Sequence, residues 1–459
     1  MNVVLVSLVF IQRPLRSAAN RSGGCGAGLQ PGGARFAALK RCATRTVLPV
    51  LLLATTACGG TARSSLDEDA RRYVRLAVAL GERDPDSLDF YAGSSEAVAD
   101  VRRTPPSLPI IKREAEAVSV RLARAAPVDP ADGARVRALV ADLTAIATRV
   151  DLLTGSRLPF DMESTAFFGI APPPADARHV ADIRSQTADI VGRGGRLVDR
   201  YAAFAERFIV PADRLPAVID AAVDECRRPT MAHLALPPGE HVTIEFVRDK
   251  PWSAFSRYLG DARSVIQINT DFRFTVDQAL QIACHEGYPG HHTRNTLKTS
   301  AAEAGGLWPE RQVQLMFSRE GLASEASAML AADVAFSPEE RLRVERERLF
   351  PLAGLRPDGA ERHVTVERLV GDLQAVQADV ARRYLDGQLE FARAVTALEE
   401  QALVPHAEAL VKYVNEYRSY VTTYTAGRRA LAARLAACAG PATTEAVRWR
   451  CFQSETALR

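Results

Sequence analysis

The sequence predicts a mainly α-helical protein with one small β-sheet, on three observations. Apolar residues recur at spacings of three and four through most of residues 66–459. Alanine and arginine, both good helix formers, are spread along the same stretch. Alternation of apolar and polar residues, the mark of a half-buried strand, is confined to residues 240–274.

Residues 1–57 stand apart from this pattern. Lys40, Arg41 and Arg45 precede a short apolar run, residues 47–54, which ends in Ala-Thr-Thr-Ala-Cys at Cys58. Basic, apolar and small residues in that order make a secretory signal, and the run is too short to span a bilayer. Cys58 sits where a bacterial lipobox places its cysteine. Cleavage there leaves Cys58 as a lipidated N-terminus, with residues 58–65 as a flexible tether, and puts the protein at the cell envelope, on the periplasmic side of a membrane or at the cell surface. An ordinary signal peptide is the alternative. Residues 1–39 fit neither a signal nor a domain, so either the start is misassigned and the signal begins near Leu39, or they form a disordered leader.

From residue 66 onward a single large helical domain with two lobes or subregions is expected, since the stretch is long for one simple core. Residues 68–80, 110–125, 131–153, 177–208 and 211–226 read as helices, with Arg and Asp opposite the apolar stripe. Residues 241–247 then alternate as a strand and 264–269 follow as a second, joined by a Lys250-Pro251-Trp252 loop; a simple surface hairpin is the alternative. A strand edge here can pair with an extended peptide. After residue 337 helices resume, break at Pro357-Asp358-Gly359, and continue to the end.

Chemistry concentrates at residues 284–292, Cys-His-Glu-Gly-Tyr-Pro-Gly-His-His, which hold three of the eight histidines. Neutral imidazoles bind zinc well, and a carboxylate beside a ligand can take a proton from an activated water, so His285 reads as ligand and Glu286 as general base. The spacing is unusual. On an unbroken helix His291 would lie about 240° round from His285, and His292 would share its face about 10 Å further along. Pro289 and Gly290 argue against an unbroken helix, and a local bulge there brings His291 back beside His285. A third ligand is expected from the next helix, where Glu320 stands in the helical stretch 317–330. The remaining histidines, His179, His233, His241, His363 and His406, show no ligand spacing. Tyr424 offers a hydroxyl for a developing oxyanion, or packs with its neighbours.

These residues resemble the bacterial DUF885 proteins, whose pattern is His-Glu-x-x-Pro-Gly-His followed some thirty residues later by Glu-Gly-Trp-Ala. The match lies at His285, Glu286, Pro289, Gly290, His291, Glu320, Gly321 and Ala323, and the resemblance extends from about residue 66 to the C-terminus, including residues 260–269, 384–403 and 419–427, where Tyr424 and Gly427 stand. It implies a multi-helix, zincin-like metallopeptidase-type fold, zinc, and peptide hydrolysis. It also favours His291 over His292 as ligand. The chain departs from the pattern at Leu322, where the family usually has Trp, and at Glu325, where it often has Tyr; both changes bear on the cleft wall.

Of the seven cysteines, Cys25 and Cys42 fall in the leader, and Cys226 and Cys284 read as small buried residues. Cys438 and Cys451 flank an Ala-Gly-Pro turn, where in an oxidising compartment a disulfide would contribute about 3 kcal/mol. Net charge is only +3, without a basic stripe interleaved with aromatics, so no nucleic-acid partner is expected. The expected function is a zinc-dependent hydrolase, foremost a peptidase cleaving short peptides, anchored through lipid on Cys58. The rivals are a non-catalytic envelope lipoprotein and a metallohydrolase of a non-peptide amide or ester.

Overall fold

The computed structural model describes residues 57–456 apart from 126–128, 251, 306–307 and 442–443, with side chains from Ser65 onward. The leader and signal readings, residues 1–56, lie outside the described residues. Three helices, α1 (Ala57–Arg83), α2 (Leu108–Arg124) and α3 (Pro130–Leu153), pack into an N-terminal unit around Leu76, Val78, Ile111, Leu139 and Ile146. Because α1 already begins at Ala57, the expected flexible tether at 58–65 is helical backbone.

Two further apolar clusters complete the core. One gathers α4 (Leu215–His233), α5 (Val276–Glu286) and the helical segments between 338 and 373; the other is rich in aromatics, with Phe160, Phe167, Trp252, Phe317, Tyr417 and Tyr420. Among the described residues the core thus has three main apolar clusters. The expected helix 177–208 is two helices, Ala177–Val191 and Leu197–Ala205. Gly192, Gly194 and Gly195 between them all take positive φ, which a regular helix cannot hold.

The sheets are small. β1 (Leu88–Tyr91) pairs antiparallel with β5 (Val313–Leu315) and joins the N-terminal unit to the segment before α7 (Arg319–Met329). The other sheet has three strands in the order β2-β4-β3: β2 (His241–Val247), β3 (Ala254–Gly260) and β4 (Arg263–Asn269). The two expected strands are β2 and β4. They do lie side by side, but in parallel, because β3 intervenes along the chain and runs antiparallel to β4. Alternation does not reveal β3, since its first three residues are all buried.

Two disulfides tie helices together. Cys438–Cys451, the expected pair, links α8 (Arg428–Ala439) to α9 (Glu445–Thr456). Cys226 and Cys284, read from sequence as unbonded buried residues, instead join α4 to α5, which pack side by side with these Cα atoms 5.3 Å apart. Among the described residues no helix is long and apolar enough to cross a membrane.

Candidate metal centre

The centre is built around a break between helices. α5 starts on a capping box, in which the Thr275 hydroxyl accepts from the Gln278 amide and the Gln278 side chain accepts from the Thr275 amide. It carries His285 and Glu286 in its last turn and stops at Gly287. The Tyr288–Pro289 peptide bond is cis, the Gly290 amide donates back to the Cys284 carbonyl at 3.1 Å, and α6 (His291–Glu303) begins at once. A Cβ at position 290 would overlap the His285 carbonyl, so only glycine lets the chain pass this close. The expected bulge within one helix is thus a full change of helix.

This turn brings His291 Nε2 to 3.2 Å from His285 Nε2, with the rings edge to face. The third donor comes from α7 and is Glu325, whose carboxylate oxygens lie 3.4 Å from His291 Nε2 and 3.6 Å from His285 Nε2. All three side chains are buried. Among the described residues they form the one group of three such donors close enough to share an ion.

Glu320, the expected third ligand, is not in this group. Arg294 Nη2 and Lys298 Nζ, one turn apart on α6, hold its Oε1 at 2.6 and 3.1 Å. Burial would raise the Glu320 pKa, but these two cations drive it well below the ordinary carboxylate range. Glu325 shows the same balance: burial pushes it up, the charge on His291 and the contacts of both imidazoles outweigh that, and it falls to about 2. For His291 burial pushes downward, yet the charge of Glu325, followed by those of Glu286 and Asp89, lifts it to about 9.

The donor set fits zinc. Two imidazole nitrogens and a carboxylate are common zinc ligands, and a tetrahedral ion with bonds of about 2.0–2.1 Å puts its donors roughly 3.3 Å apart, close to the 3.2, 3.4 and 3.6 Å found. His285 Nδ1 and Glu325 Oε2 are buried without a hydrogen bond of ordinary length. Glu286 is fully buried beside His285, near enough for its charge to act on His291.

The surroundings include residues that spacing did not reveal. Ser324 Oγ lies 3.4 Å from His291 Nδ1, and the Tyr420 hydroxyl donates to Glu325 Oε1 at 3.3 Å. Tyr424, the expected oxyanion donor, is buried edge to face against Tyr420 with ring centroids 5.7 Å apart; burial and then the Glu325 charge raise its pKa well above 10. Tyr420 contacts Glu325 directly, and Tyr424, beside it, is close enough for the Glu325 charge to act on its hydroxyl. Asp89 on β1 reaches the same region, where burial raises its pKa against the pull of His291.

His292 faces away from the centre. Its Nδ1 lies 2.8 Å from Ser264 Oγ on β4 and its Nε2 3.0 Å from Glu240 Oε2, which also accepts from the Tyr288 hydroxyl at 2.6 Å. Burial works against the Glu240 charge, but His292, Tyr288 and Arg227 together bring its pKa down to about 2. This network fastens the start of α6 to the sheet. The other histidines stay out of the centre: His233 stacks on Trp449, and His363 is buried against Phe208, where desolvation lowers its pKa to about 4.

Two cavities adjoin the helices of the centre. One of about 320 Å³ lies among α6, α7, α8 and α9, and one of about 670 Å³ is lined by parts of α5 and α7 together with Arg341 and Glu367. No family model and no curated protein matches the chain, so the DUF885 resemblance rests on its motif residues. Solved structures similar to the chain include one described as a "putative lipoprotein from Colwellia psychrerythraea", 14% identical, covering 80% of this chain and 70% of that one at a TM-score of 0.47. Another, described as "a putative lipoprotein of unknown function from Shewanella oneidensis", is 11% identical and covers 79% and 76% at a TM-score of 0.39.

Proposed function

We propose that the protein is a zinc-dependent hydrolase of short peptides, carried by lipid on Cys58 at the bacterial cell envelope. The observation that supports the chemistry most is the buried trio of His285, His291 and Glu325 with donor separations of 3.2 to 3.6 Å. These three residues would hold the ion, which when bound supplies a Lewis acid to activate water and polarise a carbonyl.

The chain's own residues do the rest. Glu286, buried beside His285, accepts the proton of the attacking water on its carboxylate and passes it to the departing amine. Tyr420 and Ser324 steady Glu325 and His291 through their hydroxyls. The Glu240-His292-Ser264 network fixes the start of α6 and with it the direction of the His291 ring. β3 is an edge strand packed against α6, and a strand edge of this kind suits an extended peptide. A peptide-library digest tests the reading: zinc-loaded protein should cleave, a chelator should stop it, and added zinc should restore it. A zinc-loaded protein that cuts no peptide would remove the peptidase assignment.

A further inference from the structure

The cavity among α6, α7, α8 and α9 has a charge pattern of its own. Arg294, Lys298, Arg311, Arg319 and Arg434 line it against only two carboxylates, Glu320 and Glu455, a surplus of three positive charges. The carboxylates are already engaged. Glu320 is held by Arg294 and Lys298, and Glu455 accepts from Arg434 at 2.9 Å. Arg311 and Arg319 have no carboxylate within ion-pair distance among the described residues, although the charge of Arg319 acts on Asp142, and Arg294, only 5% exposed, has its Nε without an acceptor. Leu322, Ala323, Ala326 and Leu431 give the same cavity an apolar wall. Cations facing small aliphatic residues suit a carboxylate on an aliphatic body, because a guanidinium pairs two oxygens at once and the wall covers the carbon chain.

The cavity is near the candidate metal centre and on the same elements. Arg294 follows His291 by three residues on α6, and Ala326 follows Glu325 directly on α7. These cavity residues therefore stand within about one helical turn, along the axes of α6 and α7, of the ligand-bearing positions. At about 320 Å³ the cavity is at the small end of ligand sites. A cavity of that size suits a chain end.

We propose that this cavity receives the C-terminal carboxylate of the peptide, so that the protein removes one or two residues from the C-terminus. The proposal rests on the hydrolase reading above. Hydrolysis adds the water's hydroxyl to the acyl carbon and its proton to the amine that leaves, and the leaving fragment is the one whose carboxylate is docked.

The test has a binding arm and a turnover arm, both on the mature zinc-loaded protein. In the first, hexanoate should bind at least about tenfold more tightly than hexanamide or inorganic phosphate by calorimetry. The double variant Arg311→Ala/Arg319→Ala and the cavity-filling Leu322→Trp should each lose that binding while zinc content stays at the wild-type level. In the second, peptides with a free C-terminus should be cleaved with at least about tenfold higher kcat/KM than their C-terminal amides, and the double variant should erase the difference. Equal binding of hexanoate and hexanamide, equal binding of phosphate, or hexanoate binding untouched by the variants would overturn the carboxylate site. Cleavage indifferent to the amide would overturn the exopeptidase reading and leave the hydrolase standing. If no peptide is cut, the hydrolase and the terminal trimming fall together, and the binding arm still decides the carboxylate site.

Discussion

His291 Nε2 stands 3.2 Å from His285 Nε2 although six positions separate them along the chain. One continuous helix would place them on different faces. The chain instead ends α5 after Glu286, turns through Gly287, Tyr288, Pro289 and Gly290, and starts α6 on His291 itself. The same turn sends His292 to Glu240 and Ser264.

The two adjacent histidines should therefore fail in different ways. His291→Ala should lose zinc, with a melting temperature close to that of zinc-free wild type. His292→Ala should keep most of the zinc but lower the melting temperature, since it strips the buried Glu240 of one partner, a loss of about 1–3 kcal/mol. Metal analysis alongside thermal denaturation reads both, and loss of zinc in His292→Ala alone would reverse the register.

How much of this was legible in the sequence follows from what each feature depends on. Helical spacing and the break at Pro289-Gly290 are local, and both His285 and His291 emerge from them. Glu325 does not. Glu320 and Glu325 share one helix, and no local rule says which of them turns toward the histidines. That is decided in space, where Arg294 and Lys298 on α6 capture Glu320. The Cys226–Cys284 disulfide, with 58 positions between its ends, is a tertiary fact of the same kind. β3 was hidden because its burial does not alternate at its start, whereas β2 and β4 carry enough β-branched residues to show.

Glu286→Gln keeps the volume and removes the base. Zinc content and melting temperature should stay near wild type while peptide turnover falls at least about a hundredfold, the lower end of what general-base catalysis contributes. Turnover unchanged in this variant would take Glu286 out of the chemistry.

Glu367 gives a pH test away from the metal. Burial, then the Asp277 charge, raise its pKa from 4.5 to about 8, over the opposing hydrogen bonds from Tyr201 and Gln278. Between those two values the native state keeps a proton that the unfolded chain has lost, so this group's contribution to stability declines as pH rises from about 4.5 to 8. Glu367→Gln cannot titrate. Its melting temperature relative to wild type should climb across that window; a difference that stays flat with pH would contradict the raised pKa.

Cys58 decides the anchor. If it is lipidated, the native protein labels with palmitate and partitions into detergent, whereas Cys58→Ser does neither. Equal partitioning of the two forms would mean that no lipid is attached there.

The most direct test of the account is the zinc content of Glu325→Ala beside that of Glu320→Ala, measured by elemental analysis on folded protein. Wild type and Glu320→Ala should each hold about one zinc per chain, and Glu325→Ala should hold little, because two imidazoles alone compete poorly with water for the ion. Zinc retained in Glu325→Ala and lost in Glu320→Ala would contradict the centre described here.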